Sequence, residues 1–245
     1  MDSDPKTLVL TGASRGIGHA TVKRFNAAGW RVITCSRQPF SEHCPWDAGP
    51  EDHVVIDLAD EEGTHRGIGT LRERIGGRPL HALVNNAAVS PKPGNGARLG
   101  TLDTGIDLWR TVFNVNFFAP IVLARGLIDE LRAGGGSIVN VTSIAGGRVH
   151  PFAGSAYSTS KAALASLTRE MAADLGPLGI RVNAIAPGEI ETAMIGPEYQ
   201  EMAKEIPMRR LGTAEEVAKT IYFLCTEQSS YVNGAEIHIN GGQHV

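Results

Sequence analysis

Seven short apolar runs, most of them rich in β-branched residues, alternate along the chain with longer segments of helical periodicity. The first run, residues 7–10, stops at a glycine-rich turn, as a strand buried on both faces of a parallel sheet would. The other six runs are residues 31–35, 54–56, 82–84, 137–141, 180–185 and 235–239. Strands that alternate with helices need crossover connections. The pattern therefore predicts an α/β fold, doubly wound, with a mostly seven-stranded parallel sheet.

The helical segments carry recognisable start and stop signals. Residues 16–28 place apolar side chains at helical spacing, and Gly29 ends that pattern. Further helices are predicted over about residues 60–75, 104–132, 156–175 and 213–226. The last of these opens with Thr213 and Glu216 at the spacing of a capping box, in which each side chain satisfies a free backbone amide.

Nothing in the sequence divides the chain into parts. It contains no internal repeat, low-complexity tract or linker, so residues 1–245 are predicted to form a single domain. Long loops are expected at residues 36–52 and 90–103, and an irregular stretch at 187–207. That stretch follows the carboxyl end of a strand, where open α/β sheets bind ligands, and a substrate lid is expected at about 188–207.

Composition excludes several functional classes. The 245 residues carry a net charge of −3, which argues against a nucleic-acid surface because such a surface needs a basic stripe. No apolar run is long enough to cross a membrane, and the polar start shows no signal region. Three scattered cysteines, Cys35, Cys44 and Cys225, are typical of reduced intracellular thiols. A cytoplasmic protein is expected.

The glycine-rich turn at residues 11–18 lies between the first strand and the first helix. Its glycines permit a tight turn, and the helix N-terminus presents unpaired amides to a pyrophosphate. Many such turns only shorten a connection, but the strand–turn–helix setting strengthens the functional interpretation. The turn lacks the Gly-Lys-Ser/Thr of nucleoside-triphosphate loops, which favours a dinucleotide.

Five motifs in order along the chain resemble the short-chain dehydrogenase/reductase family: residues 11–18, residues 85–88, Ser143, Tyr157 to Lys161, and Pro187-Gly188. The resemblance covers essentially the whole chain and implies a Rossmann-type fold and a homotetramer or homodimer. One departure is Ala88, where glycine is more usual, and little consequence is expected from it. The cofactor-binding residues that the resemblance implies are Gly12, Ser14, Arg15, Gly16, Ile17, Gly18, Asp57, Leu58, Asn85, Ala87, Tyr157, Lys161, Pro187, Gly188, Ile190 and Thr192.

The residues after the second strand bear on the choice of cofactor. A carboxylate there would accept the ribose 2′-hydroxyl of NAD, whereas a cation would accommodate the 2′-phosphate of NADP. The strand ends Cys35-Ser36-Arg37 with no acidic residue, and Arg15 in the turn supplies a second cation. Arg37 offers a guanidinium fork for phosphate and Ser36 a hydroxyl. We therefore predict NADP(H), with solvated surface arginines as the alternative.

Tyr157 and Lys161 lie four residues apart on a predicted helix and so share one face. Tyrosine has an ordinary pKa of about 10, and a nearby ammonium together with an oxidised nicotinamide would lower that pKa towards neutral pH. Ser143 would hydrogen-bond the substrate oxygen and stabilise developing alkoxide charge. The alternative, a packed Tyr157 and a solvated Lys161, is disfavoured by Ser143 upstream at the family's spacing.

Asn116 matches the family's fourth catalytic position, and Pro120 follows it within a predicted helix. Because proline has no N–H, the Asn116 carbonyl is expected to be left free and the helix to kink. We hypothesise that this carbonyl holds a water that connects Lys161 to solvent as a proton relay. The alternative is a kink that only shapes packing.

The stretch at 187–192 resembles the family segment that grips the nicotinamide carboxamide, through the Ile190 backbone and the Thr192 hydroxyl. Apolar lid residues follow that either close over substrate or form ordinary helix contacts. The candidate substrate residues are His150, Phe152, Met194 and Tyr199, with Ile195 and Met202 as further lid residues. His43, Cys44 and His53 lack the paired spacing of a zinc site, so no metal is expected.

The sequence thus predicts an NADP(H)-dependent oxidoreductase that interconverts a ketone and a secondary alcohol, with no nucleic-acid or membrane partner. A 3-oxoacyl-carrier-protein reductase is the nearest alternative, on the resemblance of residues 209–216 and Gly241-Gly242. It ranks slightly lower because the glycine segments 134–136 and 176–179 lack basic residues for an acidic carrier. A non-catalytic NADP sensor or scaffold is disfavoured by the presence of Tyr157 and Lys161. A sugar-nucleotide epimerase or dehydratase would need a larger C-terminal region.

Overall fold

The computed structural model describes residues 4–40, 49–93, 97–191 and 197–245, with the backbone alone for 197–200. All seven predicted strands are present and form one parallel sheet of order β3-β2-β1-β4-β5-β6-β7. The strands are β1 (Thr7–Thr11), β2 (Arg31–Ser36), β3 (His53–Val55), β4 (Ala82–Asn85), β5 (Ser137–Val141), β6 (Arg181–Pro187) and β7 (Glu236–Ile239). This is the Rossmann-type fold that the sequence predicts, since the order reverses between β1 and β4.

The helices pack on both faces of the sheet. They are α1 (Gly16–Asn26), α2 (Glu61–Ile75), α3 (Ile106–Phe113), α4 (Ala119–Gly126), α5 (Ile128–Ala133), α6 (Ser155–Leu175), α7 (Pro197–Glu205) and α8 (Ala214–Leu224). Within the described residues, no helix is both long and apolar enough to cross a membrane.

The core lies in two layers because successive strand residues point to opposite faces of the sheet. In β1, Val9 packs in the layer that includes α2 and α4, whereas Leu8 and Leu10 pack in the layer with α1 and α8. All three side chains are fully buried. A parallel strand covered on both faces must be apolar throughout, which is why the strands appear in the sequence as continuous runs.

The predicted helix over 104–132 is wrong as one continuous element. The structure divides it into α3, a π-helical segment (Asn114–Phe118), α4 and α5. The π-helical segment ends with the Ala119 N–H bonded to the Asn114 carbonyl, five residues back. It ends two residues before Pro120, the residue whose missing N–H predicts a break.

The capping box at the start of α8 is confirmed. The Glu216 amide donates to the Thr213 hydroxyl at 3.2 Å, and the Thr213 amide donates to the Glu216 carboxylate at 2.8 Å.

Candidate active site

The glycine-rich turn after β1 has no room for side chains at two of its positions. Gly12 has φ +70°, and a Cβ there would lie 2.8 Å from the Ala87 Cα. A Cβ on Gly18 would lie 2.1 Å from the Gly12 carbonyl oxygen. The backbones of α1, β1 and the segment after β4 therefore approach each other more closely than any other residue type permits.

The N-terminus of α1 suits a bound anion. Its N-cap is Arg15, whose side chain makes no capping hydrogen bond to the free amides of the first turn. That turn also contains no acidic residue. Ser14 and Arg15 are exposed, and Gly16 and Ile17 are half-buried. Unpaired amides at the positive end of a helix dipole, beside a backbone that a Cβ would obstruct, fit a dinucleotide pyrophosphate.

Residues after β4 lock this turn in place. The Asn86 Nδ2 donates to the carbonyls of Thr11 at 3.0 Å and Gly12 at 2.8 Å. The Ala87 amide donates to the Thr11 hydroxyl at 3.0 Å. Sequence reasoning singled out Asn85 and Ala87 and missed Asn86, although its place in the same motif was the available signal.

Asn85 itself belongs to a buried polar chain that crosses the sheet. Its Nδ2 donates to the Asn140 Oδ1 at 2.9 Å, and the Asn140 Nδ2 donates to the Thr168 hydroxyl at 3.0 Å. The Asn85 Oδ1 is buried and has no hydrogen-bond partner among the described residues. An unpartnered buried acceptor at the carboxyl end of β4 is consistent with a ligand site at this edge.

The residues at the carboxyl ends of β2 and β3 lie where the adenosine half of a dinucleotide is expected. Arg37 is exposed, Leu58 is buried, and the Asp57 Oδ1 accepts the Ala59 amide at 3.0 Å. The Ser36 hydroxyl donates to the Gln38 carbonyl at 2.9 Å. It is therefore already engaged in the loop, in contrast to the expectation of a hydroxyl offered to phosphate.

Ser143, Tyr157 and Lys161 converge at the carboxyl end of β5. Ser143 follows that strand, and its hydroxyl caps a short 3₁₀ turn by accepting the Ala145 amide at 3.2 Å. Tyr157 and Lys161 share one face of α6, with the Lys161 Nζ 5.9 Å from the centroid of the Tyr157 ring. Lys161 is 1% exposed, and its Nζ donates to the Val141 carbonyl at 2.6 Å.

Burial shifts the pKa values of both Tyr157 and Lys161 away from their ordinary ranges. Burial raises the pKa of Tyr157, a hydrogen bond with Ser143 lowers it, and the negative charge of Glu189 raises it further. Burial lowers the pKa of Lys161 to about 7. The expectation that the ammonium and an oxidised nicotinamide together lower the Tyr157 pKa stays a prediction; among the protein groups alone, removal from water outweighs the favourable hydrogen bond. These groups by themselves hold Tyr157 as a neutral acid.

Asn116 is fully engaged in structural hydrogen bonds. Its Oδ1 accepts the Val89 amide at 2.9 Å, and its Nδ2 donates to the Val89 carbonyl and the Ser160 hydroxyl, both at 3.0 Å. The side chain is 1% exposed and connects the π-helical segment to α6 and to the segment after β4. The proposed relay through its carbonyl stays a prediction.

The segment after β6 forms the opposite wall. Gly188 packs so closely that a Cβ would lie 2.6 Å from the Asn240 Cβ, and Ile190 makes a β-bridge with Gly212. Pro187 ends β6 itself. Thr192, Met194 and Ile195 lie outside the described residues, and for Tyr199 only its place in α7 is described.

His150 and Phe152 lie near Tyr157 in the segment before α6. The His150 Nε2 is 2.6 Å from the Glu189 Oε1, and the rings of His150 and Phe152 are 6.1 Å apart. Sequence reasoning missed Glu189, whose only signal was an acidic residue directly after Pro187-Gly188.

The glycine segments used to judge carrier-protein docking lie at the wrong edge of the sheet. Residues 134–136 and 176–179 precede β5 and β6, so they are at the amino ends of the strands, opposite Ser143. A cavity of about 620 Å³ lies at this edge, lined in part by Lys6, His81 and Arg181. The lack of charge in these segments therefore has no bearing on docking beside Tyr157.

Possible metal ligands do not cluster in the described part of the chain. There, no three histidine, cysteine or acidic side chains are placed to hold a metal ion. His53 contacts the Thr34 hydroxyl at 2.8 Å and the Gln38 carbonyl at 2.8 Å. His43 and Cys44 lie outside the described residues.

The glycine-rich turn and the Ser143, Tyr157 and Lys161 cluster lie at one edge of the sheet, an arrangement that fits a nicotinamide-dependent oxidoreductase. Residues 12–244 match the family model described as enoyl-(acyl carrier protein) reductase. The chain belongs to the short-chain dehydrogenase/reductase family.

Three relatives illustrate the range of similar proteins. Protein FixR of Bradyrhizobium diazoefficiens is 62% identical over 99% of this chain and 88% of its own length. Carbonyl reductase (NADPH) 2 of Sus scrofa is 36% identical over 96% of this chain and 94% of its own. A crystal structure of a Brucella ovis oxidoreductase of the same family, in complex with a partially ordered NAD, is 64% identical, with a TM-score of 0.85 over 97% of this chain and 100% of that one.

Proposed function

We propose that this chain is an NADP(H)-dependent oxidoreductase that interconverts a ketone and a secondary alcohol, with Tyr157 as the general acid–base. The observation that carries the proposal is the convergence of Tyr157, Ser143 and a buried Lys161 at the carboxyl end of β5. The tightly packed glycine-rich turn after β1 lies at the same edge of the sheet, and β4 separates β1 from β5. Ligands of open α/β sheets bind where the strand order reverses, between β1 and β4 here.

Each side chain has a role that follows from its environment. A bound nicotinamide supplies or accepts the hydride. Tyr157, which burial holds neutral, donates its proton to the carbonyl oxygen during reduction and becomes a phenolate; during oxidation that phenolate accepts the proton of the alcohol. Ser143 donates a hydrogen bond to the same oxygen and so stabilises negative charge that develops there.

Lys161 is suited to proton exchange at neutral pH. Burial lowers its pKa to about 7, so the amine is divided between its two protonation states near that pH. We propose that Lys161 also holds cofactor and restores the proton that Tyr157 loses. Asn116 would support this relay by fixing the π-helical segment beside α6.

The decisive experiment is a turnover assay with a panel of ketones, followed by the loss of reduced-nicotinamide absorbance. Tyr157→Phe is expected to abolish turnover and to leave cofactor binding, measured by fluorescence titration, nearly unchanged. Tyr231→Phe is the matched control, because Tyr231 is fully exposed at the other edge of the sheet. Cofactor binding without turnover of any substrate would favour the sensor or scaffold alternative.

The preference for NADP(H) rests on charge at the end of β2. Arg37 and Arg15 are both exposed at the expected adenosine side, and the described residues directly after β2, 37–40, include no carboxylate. The similarity to a reductase named for NADPH supports the preference, whereas the Brucella ovis relative contains NAD.

A comparison of the two cofactors tests this preference. Arg37→Ala is expected to lower kcat/KM for NADPH roughly 10- to 100-fold, the effect of losing one charge-assisted hydrogen bond, and to leave kcat/KM for NADH unchanged. Arg66→Ala, on the exposed face of α2, is the control. Equal losses with both cofactors would refute a role for Arg37 in phosphate recognition.

The carrier-protein alternative is favoured by the match to a family model whose description names acyl carrier protein and by similarity to proteins named as 3-oxoacyl-carrier-protein reductases. A free 3-oxo ester and the same acyl group on a carrier protein would separate the two substrate classes. Because the uncharged glycine segments have no bearing on docking, this assay decides the order: a much higher kcat/KM for the carrier-bound substrate would place the carrier-protein reductase first.

We also propose that the chain acts as one domain and assembles as a homodimer or homotetramer. Phe118 is 50% exposed and Ile106 65% exposed on the face of α3 and the π-helical segment, which suits burial against a second copy. Light scattering should show at least a dimer, and Phe118→Glu should reduce that mass. The cytoplasmic location and a lid over about 188–207 stay predictions.

A further inference from the structure

A histidine–carboxylate pair lies beside Tyr157 and has no place in the proton relay described above. The His150 Nε2 and the Glu189 Oε1 are 2.6 Å apart, and each side chain is 11% exposed. Glu189 is close enough to Tyr157 for its charge to act on the phenol. The pair connects the segment before α6 to the segment after β6, the two walls of the site.

The hydrogen bonds of His150 determine the net charge of this pair. Its Nδ1 accepts the Phe152 amide at 3.3 Å, so this nitrogen carries no proton. The ring proton of the neutral imidazole is therefore on Nε2 and is donated to Glu189. We assign this tautomer from the hydrogen-bond network. A neutral donor leaves the negative charge of Glu189 uncompensated.

The remaining groups around Tyr157 do not cancel that charge. Ser143 approaches from the end of β5 and is uncharged. Lys161 lies on α6 and is directed to the Val141 carbonyl, and its low pKa leaves it only partly ionised near neutral pH. The Glu189 carboxylate is thus the uncompensated charge that acts on Tyr157.

We propose that Glu189, held by His150, is a positioning residue that selects neutral or cationic carbonyl substrates over anionic ones at Tyr157. The inference rests on the proposed ketone–alcohol function. A mostly buried carboxylate repels a substrate carboxylate strongly, because little water screens the two charges.

A pair of substrates that present the same ketone and differ in charge tests this inference. Ethyl acetoacetate is neutral and acetoacetate is an anion, and both present the same ketone. Wild type should have the higher kcat/KM for the ester. Glu189→Gln should raise kcat/KM for the acid relative to the ester roughly tenfold, a typical effect of one nearby like charge. Glu189→Asp, which keeps the charge, should preserve the discrimination.

Glu191→Gln is the matched control, because Glu191 is exposed two residues further along the same segment. It should leave the acid-to-ester ratio unchanged. A ratio that does not change in Glu189→Gln, or that changes equally in Glu191→Gln, would overturn the inference while leaving the proposed function intact.

A second measurement is independent of turnover. The ultraviolet phenolate band, recorded as wild type minus Tyr157→Phe, reports ionisation of Tyr157 alone. When the same difference is recorded in proteins that carry Glu189→Gln, the phenolate band should appear at lower pH than in proteins that keep Glu189. A band that appears at the same pH in both would contradict the proposal. If no ketone is turned over, the proposed function fails and this titration alone decides the role of Glu189.

Discussion

Replacing the buried Lys161 by methionine should remove a pH dependence of stability that a surface lysine cannot produce. Lys161 is 1% exposed, and burial lowers its pKa from 10.5 to about 7. Each pKa unit corresponds to about 1.4 kcal/mol, so the ionised side chain costs the folded state on the order of 5 kcal/mol. Methionine has a similar length and carries no charge to desolvate.

The sign follows from proton binding. Between pH 7 and 10.5 the unfolded chain keeps the Lys161 proton and the folded chain has lost it. The free energy of unfolding of wild type should therefore rise, relative to Lys161→Met, by about 1.4 kcal/mol per pH unit in that window. Below pH 7 the lysine is ionised in both the folded and the unfolded state. The difference in free energy of unfolding between wild type and Lys161→Met should therefore be constant there, and wild type should bear the full cost of burying the charge.

The hydrogen bond from Lys161 sets the size of the low-pH difference. The variant leaves the Val141 carbonyl without its Nζ donor, which costs about 1–3 kcal/mol. Lys161→Met should therefore be more stable than wild type by about 2–4 kcal/mol below pH 7 and should lose this advantage as pH rises.

Urea unfolding followed by circular dichroism measures the effect, at one protein concentration because assembly contributes to stability. Lys219→Met, at an exposed position on α8, is the control and should track wild type at every pH. Wild-type and Lys161→Met stabilities that stay parallel across the window would refute the argument that burial holds the pKa near 7.

Three further predictions concern other parts of the fold. Gly12→Ala should destabilise the protein by about 1–3 kcal/mol and weaken cofactor binding in a fluorescence titration, because the new Cβ meets the Ala87 backbone at positive φ; unchanged stability and affinity would contradict the close packing. Thr213→Ala should cost about 1 kcal/mol in urea unfolding by removing its bond to the Glu216 amide, and a change near zero would show that the capping box contributes little. Asn116→Ala should cost at least about 2 kcal/mol, since three hydrogen bonds are lost in the interior; a loss of turnover with full stability would instead indicate a direct part in the relay.

Local pattern was enough to predict the sheet and the family motifs. Parallel strands covered on both faces need continuous apolar runs, and those runs locate all seven strands. The capping box at Thr213 was equally predictable, because its two partners are three residues apart. Pro120 likewise indicated an interruption from chemistry that belongs to one residue.

Features that depend on distant residues could not be predicted in this way. The hydrogen bonds that hold the π-helical segment in place join Asn116 to Val89 and Ser160, which are 27 and 44 residues away. The direction of the Tyr157 pKa depends on how completely neighbouring elements exclude water. Ser36 looked available for phosphate, and only the folded loop shows that it donates to Gln38.

By itself the sequence determined the order of strands and helices, the glycine positions that allow close backbone packing in the turn after β1, and the motifs that show the family. These properties depend on the spacing of residues that are close together in the sequence, so they do not require the folded structure. The tertiary structure decided how those groups are charged, because desolvation and Coulomb interactions depend on distances between segments. Glu189 is the clearest case: one acidic residue in the sequence becomes a charge beside Tyr157 only when β6, α6 and His150 are packed together.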